Sequence, residues 1–314
     1  MSIIFCKLYS NSGQMRILKS IDRQTFKNRF STKKDCYNFL AELKWSDGYN
    51  CKRCGSHAFT KGKQPSSRRC SKCGYDESTT TGTLFHKLKF GIDKAFEMMY
   101  EIVTSKKGAN SIWLAEHFGV NQKTAWLFRQ KVQIAMKSSE QFPLEGEVHV
   151  DEFEIGTPQK GEQGRSKSDK KVRVVIAFEN RNGKSGRGYA KVIQDYSTKS
   201  LKPIFDHHIK LDAMVMADGW SGYKPLKEKY PNLTQTLSDN GKNFKMLHIQ
   251  IRNFKNWLRG VHSYCSKEYL QKYIDEYFFR FNRRNHRKSI LDKIIQRCVS
   301  HEPITYESIK LHAI

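Results

Sequence analysis

The sequence has no apolar run approaching the roughly 18 to 20 residues needed to cross a bilayer, which excludes a membrane-spanning helix as its organising feature. Its N-terminus, MSIIFCKLYSNSGQM, has no basic stretch ahead of its short apolar run and no small-residue cleavage site. No secretory leader is expected, and the cytosol is the expected compartment. Acid is scarce as well: 31 Asp and Glu face 56 Lys and Arg, a net charge of +25. Such an excess repels itself on folding and is best tolerated when an anionic partner neutralises it. The charge is spread along the chain rather than gathered beside one amphipathic helix. Nucleic acid, not a membrane surface, is therefore the expected partner. Hydrophobic residues at 38% and aromatics at 12% are enough for packed cores, which argues against a disordered chain. The length of 314 residues suggests two or three units.

In a reducing compartment, eight cysteines are metal ligands or free thiols before they are disulfides. Four of them form two CxxC pairs, Cys51/Cys54 and Cys70/Cys73, with fifteen residues between the pairs. Each pair sets two thiolates at the separation one Zn²⁺ needs, and two pairs close a tetrahedral site. Gly55 and Gly74 follow each pair, where a tight turn favours positive φ. This is the pattern of a zinc ribbon, a structural staple surrounded by Lys52, Arg53, Arg68, Arg69 and Lys72 as candidate DNA contacts. Cys6, Cys36, Cys265 and Cys298 have no ligand spacing and read as ordinary thiols.

Apolar positions at Phe26, Phe30, Tyr37, Leu40 and Leu43 predict one or two short helices, the second capped by Ser31 or Thr32. Residues 108–136 read as a helix-turn-helix. Ser111 caps a helix holding Ile112, Leu114, Ala115 and Phe118; Gly119 breaks it, and a second helix starts at Asn121 or Gln122. That helix is expected to offer Gln122, Lys123, Arg129 and Gln130 to a major groove.

From Glu145 the periodicity changes. GEVHVDEFEIG alternates as a strand does, and a polar connection, TPQKGEQGRSKSDK, leads to a second strand, KVRVVIAFEN. An Asn182-Gly183 turn precedes a third strand near Gly188 to Ile193. Thr198 to His208 reads as a helix, AMVMAD as a short buried strand, and Leu233 to Leu237 as another. Basic helices follow from about His248. Three hairpin-linked strands, a helix, a strand and then helices is a ribonuclease-H-like order. In that order Asp151, inside the first strand, and Asp218, at the end of the fourth, become neighbours. Paired carboxylates there suit two Mg²⁺ or Mn²⁺ ions about 4 Å apart, an arrangement that serves phosphodiester chemistry. Alternation sends Glu152 to the face opposite Asp151.

The segments VHVDEFEIG (148–156), MADGWSGY (216–223), RNFKNWLRGVH (252–262) and EYLQKYIDEYFFRFNRR (268–284) resemble the zinc-ribbon insertion-sequence transposases of bacteria. GYNCKRCG, STTTGTLFHKLKF and KTAWLFRQK extend the resemblance to nearly the whole chain. These proteins belong to the DDE superfamily, in a branch that admits Asn as the third residue. The resemblance implies Asp151, Asp218 and Asn253 as catalytic metal ligands, with thirty-four residues between the last two. It also implies Arg259 as a phosphate contact nearby. No Glu lies in the helix at 248–262, which argues that Asn253 itself fills the role, with Glu152, Glu154 and His248 as the alternatives.

The run from Arg280 to Lys288 alternates aromatics with cations, which predicts a helix packed by its Phe face with Arg283, Arg284 and Arg287 turned to DNA. The expected architecture is multidomain α+β. Residues 1–80 hold N-terminal helices and a zinc ribbon, 81–142 a helical DNA-binding segment, and 143–314 a ribonuclease-H-like catalytic domain with a mixed sheet and basic C-terminal helices. The expected function is metal-dependent cleavage of insertion-sequence ends and strand transfer into target DNA, by a homo-oligomer at the nucleoid. The rivals are a DNA-binding regulator with a dead site and a structure-specific nuclease that cuts without joining.

Overall fold

The computed structural model describes residues 22–156, 171–237, 239–262 and 265–311. Cys6 and the connection at 157–170 lie outside them. The chain divides into two compact units. One runs up to Ala135 and takes in the residues from Asn285; the other runs from Met136 to Arg284.

The first unit begins with α1 (Arg23–Arg29) and α2 (Lys33–Lys44). Thr32 starts α2 through a reciprocal capping box: its side chain accepts from the Asp35 N–H, and the Asp35 carboxylate accepts from the Thr32 N–H. Three short strands follow, β1 (Phe59–Lys61), β2 (Arg68–Cys70) and β3 (Asp76–Glu77), forming an antiparallel sheet around the four cysteines. The helices α3 (Ile92–Thr104), α4 (Ser111–Phe118) and α5 (Gln122–Ala135) come next. The cap of α4 is Asn110, whose side chain accepts from the Trp113 N–H at 2.8 Å, one residue ahead of the expected Ser111. Gly119 ends α4 at φ +58°, the left-handed conformation that glycine adopts without steric cost.

The C-terminal helices α9 (Ile290–Ser300) and α10 (Tyr306–Leu311) belong to this same unit, not to the sheet as expected. The reason is the apolar stripe of α9. Ile290, Leu291, Ile294, Ile295, Cys298 and Val299 are all buried, and α9 packs on α2, α3 and α5. Arg29 anchors the start of α9 by donating to Asp292 at 2.9 Å, and the Leu84 N–H donates to the Cys298 carbonyl at 3.0 Å.

In the second unit, five strands among the described residues form one mixed sheet. These are β4 (Glu147–Ile155), β5 (Val172–Arg181), β6 (Lys184–Ile193), β7 (Met214–Ala217) and β8 (Leu233–Gln235), in the order β6-β5-β4-β7-β8. The first three pair antiparallel; β4–β7 and β7–β8 pair parallel. Both faces are covered, which is why β5 reads as a nearly continuous apolar run. Val148, Val150, Val175, Ala177, Val215 and Ala217 pack with α6 (Thr198–His208) on one face. Phe153, Val174, Ile176 and Phe178 pack with α7 (Lys245–Val261) and α8 (Leu270–Phe281) on the other. No helix among the described residues is long and apolar enough to cross a membrane.

Candidate metal centres and active site

The four sulfurs of Cys51, Cys54, Cys70 and Cys73 lie within 4.8 Å of one another. Cys51 and Cys73 are 3.6 Å apart, Cys54 and Cys70 3.5 Å. A tetrahedral zinc with bonds of about 2.3 Å sets its sulfurs roughly 3.8 Å apart, so the constellation fits the ion. Both knuckles are built alike. Gly55 and Gly74 sit at φ +71° and donate to the carbonyls of Cys51 and Cys70 at 2.8 and 3.0 Å. Around them lies a small core of Trp45 and Tyr49 with the buried cysteines. Arg68, expected as a DNA contact, spends its guanidinium on this core, over the rings of Phe59 at 4.1 Å and Trp45 at 4.5 Å. Lys52, Arg53, Arg69 and Lys72 are exposed.

The second centre follows from strand register. β4 and β7 pair in parallel up to Val150↔Ala217, so one step further Asp151 stands beside Asp218. There β7 ends, and β4 continues to Ile155 with β5 as its partner. The space that β7 leaves open is where the carboxylates meet. Asp151, Glu152 and Asp218 each bring an oxygen within 4.8 Å of the others. Glu152 does point toward the α6 face, as alternation requires, and accepts there from the phenol of buried Tyr223. Glu152, expected only as an alternative to Asn253, joins the cluster because the open edge lets carboxylates from both faces converge.

The surroundings fix this geometry. The Glu152 N–H donates to Asp151 at 2.7 Å, and the Trp220 N–H donates to Asp218 at 3.0 Å. Burial and the charge of Glu152 hold the Tyr223 phenol well above its ordinary pKa, so it remains a proton donor. In the MADGWSGY segment, a side chain at Gly222 would come within 2.6 Å of the Tyr196 carbonyl, which explains the glycine. His248, on the first turn of α7, bonds Asp151 at 3.0 Å. That bond raises the histidine pKa against the opposing effect of burial.

A cavity of about 480 Å³ opens beside the cluster. Asp151, Glu152 and Asp218 line it together with Lys171, Lys255 and Arg259. The acidic donors are all oxygen, which suits a hard divalent cation such as Mg²⁺ or Mn²⁺. Of the expected site residues, Asp151, Asp218 and Arg259 are thus brought together. Asn253 is exposed on α7 and is not part of the cavity lining. It lies five residues from His248, about 140° around the helix.

Among the expected DNA contacts, Lys123 is exposed near the start of α5. Arg129 is not available: it is 1% exposed and donates through Nε to the Ala109 carbonyl at 2.9 Å, with Gln130 buried beside it. Its charge serves the packing of α5. Arg284 is likewise drawn inward, donating to the carbonyls of Ser185 and of Gly186, the latter at 3.0 Å, while its guanidinium stacks on Phe281 at 4.1 Å. Arg283 lies over Phe279 and donates to its carbonyl at 3.1 Å. Arg287 is exposed and donates to the Thr104 carbonyl at 3.0 Å.

These placements separate two variants. Lys123→Ala is expected to leave the melting temperature unchanged and to lower the salt slope of DNA binding by about 1. Arg129→Ala removes a buried charge-assisted hydrogen bond, an expected cost of about 2 kcal/mol in unfolding, with the slope preserved in the folded fraction. Paired melting and salt-titration curves check both outcomes.

Residues 143–282 match the ISXO2-like transposase domain. The matched segment nearly coincides with the second unit and contains the sheet, the carboxylate cluster and its cavity. It bears out the resemblance to insertion-sequence transposases and supports a transposase function, a DNA-cleaving activity in general terms. The four-cysteine cluster fits the zinc ribbon of that resemblance. No curated protein matches the chain.

Proposed function

We propose that this chain is a DNA transposase that binds the ends of its insertion sequence, cuts a strand, and joins the new 3′-hydroxyl to target DNA. The observation that carries the proposal is the meeting of Asp151, Glu152 and Asp218 at the open end of β7, inside the segment that matches a transposase domain. We read the sheet, with its three antiparallel and two parallel strands, as ribonuclease-H-like. Asp151 and Asp218 hold the catalytic cation or cations, and Asn253 is the third ligand that the resemblance implies. Mg²⁺ or Mn²⁺ bound there supplies charge neutralisation of the phosphodiester and lowers the pKa of a bound water. The two carboxylates would fix the position of the cation that takes the reacting phosphate, and Arg259 neutralises a neighbouring phosphate. Cutting and joining are both in-line displacements at phosphorus, so one site serves both.

The zinc ribbon and the α4–α5 pair hold the terminal DNA in this proposal, in a homo-oligomer that brings two ends together at the nucleoid. His248 supports a second reading of the third position, because its bond to Asp151 places it at the cluster. A regulator with a dead site gives no reason for three carboxylates held this closely, and that reading is not favoured.

The test is incubation of the full chain with DNA carrying the element ends and Mg²⁺ or Mn²⁺, followed by sequencing of the products. Junctions between element ends and target DNA are the expected result. Cutting without junctions makes the protein a nuclease, and binding without cutting makes it a regulator.

A further inference from the structure

The cavity beside the carboxylate cluster is lined by charges of both signs. Asp151, Glu152 and Asp218 cluster in its lining; Glu154, Lys171, Lys255 and Arg259 line it as well. The three cations are not equivalent. Lys171 is neutralised by Glu154, 3.1 Å from its ammonium, and the same carboxylate accepts the Tyr196 hydroxyl at 2.7 Å. Lys255 and Arg259 lie one helical turn apart on the same stripe of α7, and among the described residues neither makes an ion pair. Lys255 is half-buried, its ammonium 5.3 Å from the centre of the Phe153 ring. Burial, then the neighbouring Arg259 charge, lower its pKa, and the Glu154 charge opposes them only in part. Two adjacent positive charges, one partly desolvated, are costly in a folded protein unless an anion arrives. Glu154, whose charge acts on Lys255, is already engaged with Lys171 and Tyr196.

We propose that Lys255, with Arg259, forms a subsite for a phosphate of the DNA strand adjacent to the one that reacts at Asp151 and Asp218. This rests on the transposase reading and deepens it by assigning a phosphate-binding role to Lys255. The two signs of charge serve positioning. The carboxylates accept a DNA phosphate only through a cation, whereas Lys255 and Arg259 take one directly. A strand crossing the cavity is therefore held in one register. The Phe153 ring fixes the lysine stem, so the ammonium is placed before DNA arrives.

The test pairs Lys255→Gln with end DNA in which single phosphates are replaced by neutral methylphosphonates. In the wild type, one position next to the scissile phosphate should weaken binding, measured in Ca²⁺ so that no cutting intervenes. In Lys255→Gln the same replacement should cause no further loss, and the salt slope should fall by about 1. Lys255→Arg should restore the wild-type response. Lys255→Met, which keeps the stem over Phe153, should behave as Gln does and separates the charge from the packing. If the losses from Lys255→Gln and from every methylphosphonate simply multiply, the subsite is overturned. That failure is distinct from failure of the transposase reading, which is judged on wild-type cutting in Mg²⁺ and its loss in Asp151→Ala.

Discussion

Alanine at Asp151 or at Asp218 is expected to reduce cleavage and joining by more than about 10³-fold, or roughly 4 kcal/mol of transition-state stabilisation. Binding to element ends should persist. Each carboxylate supplies donor oxygens where β7 stops, and among the described residues no other strand fills that level of the sheet. Neither residue belongs to the cysteine cluster or to α5, so the zinc content and the exposed face of α5 should be untouched. The measurement is product yield in Mg²⁺ and in Mn²⁺, set beside gel-shift affinity. Wild-type cutting by both alanine variants would falsify the catalytic assignment.

The same assay decides the third position. Asn253→Ala should be severely impaired if the family pattern governs, and Asn253→Asp should keep a ligand oxygen and retain metal binding. If His248 fills the role instead, His248→Ala loses activity and Asn253→Ala cuts at the wild-type rate. Glu152 contributes in either case. Glu152→Gln keeps the shape and the hydrogen bond from Tyr223 but removes one negative charge from a cluster whose oxygens lie within 4.8 Å. A weaker apparent affinity for Mn²⁺ is the expected outcome, read by titration without DNA.

Local pattern carried the meeting of Asp151 and Asp218 because two periodicities agreed. Alternation along β4 put Asp151 on the Phe153 face, and the apolar run of β7 ended at Asp218. The paired CxxC spacing carried the ribbon for a similar reason: both knuckles are local. What stayed hidden depends on partners distant in sequence. Nothing in α5 distinguishes Arg129 from an arginine offered to DNA; its burial is decided by a carbonyl twenty residues earlier. The stripe of α9 predicts an amphipathic helix but not that α2, α3 and α5 cover it. Glu152 reaches the cluster only because β7 is short, a fact of pairing rather than of alternation. Arg284 looked like a phosphate contact because its neighbours are basic, yet carbonyls about a hundred residues upstream claim it.

Removal of zinc should have the other large effect, and it should be confined to the ribbon. The strands β1, β2 and β3 span only three, three and two residues. Their core is Trp45, Tyr49 and the cysteines themselves, too little apolar surface to offset the entropy of ordering the segment. Structural zinc supplies an apparent 10–16 kcal/mol in comparable small folds, so the ribbon should not remain folded without it. Cys54→Ser or a strong chelator is therefore expected to release about one equivalent of Zn²⁺. Amide protection should be lost across β1 to β3, and the near-ultraviolet signal of Trp45 and Tyr49 should flatten. The sheet of the second unit shares no residue with this core and should keep its protection. Full zinc occupancy in a variant lacking both Cys51 and Cys54 would refute the assignment. The functional readout separates the two centres. Zinc loss should weaken recognition of element ends while Asp151 and Asp218 remain able to cut nonspecific DNA in Mn²⁺, whereas Asp151→Ala should leave end recognition intact and abolish cutting on every substrate.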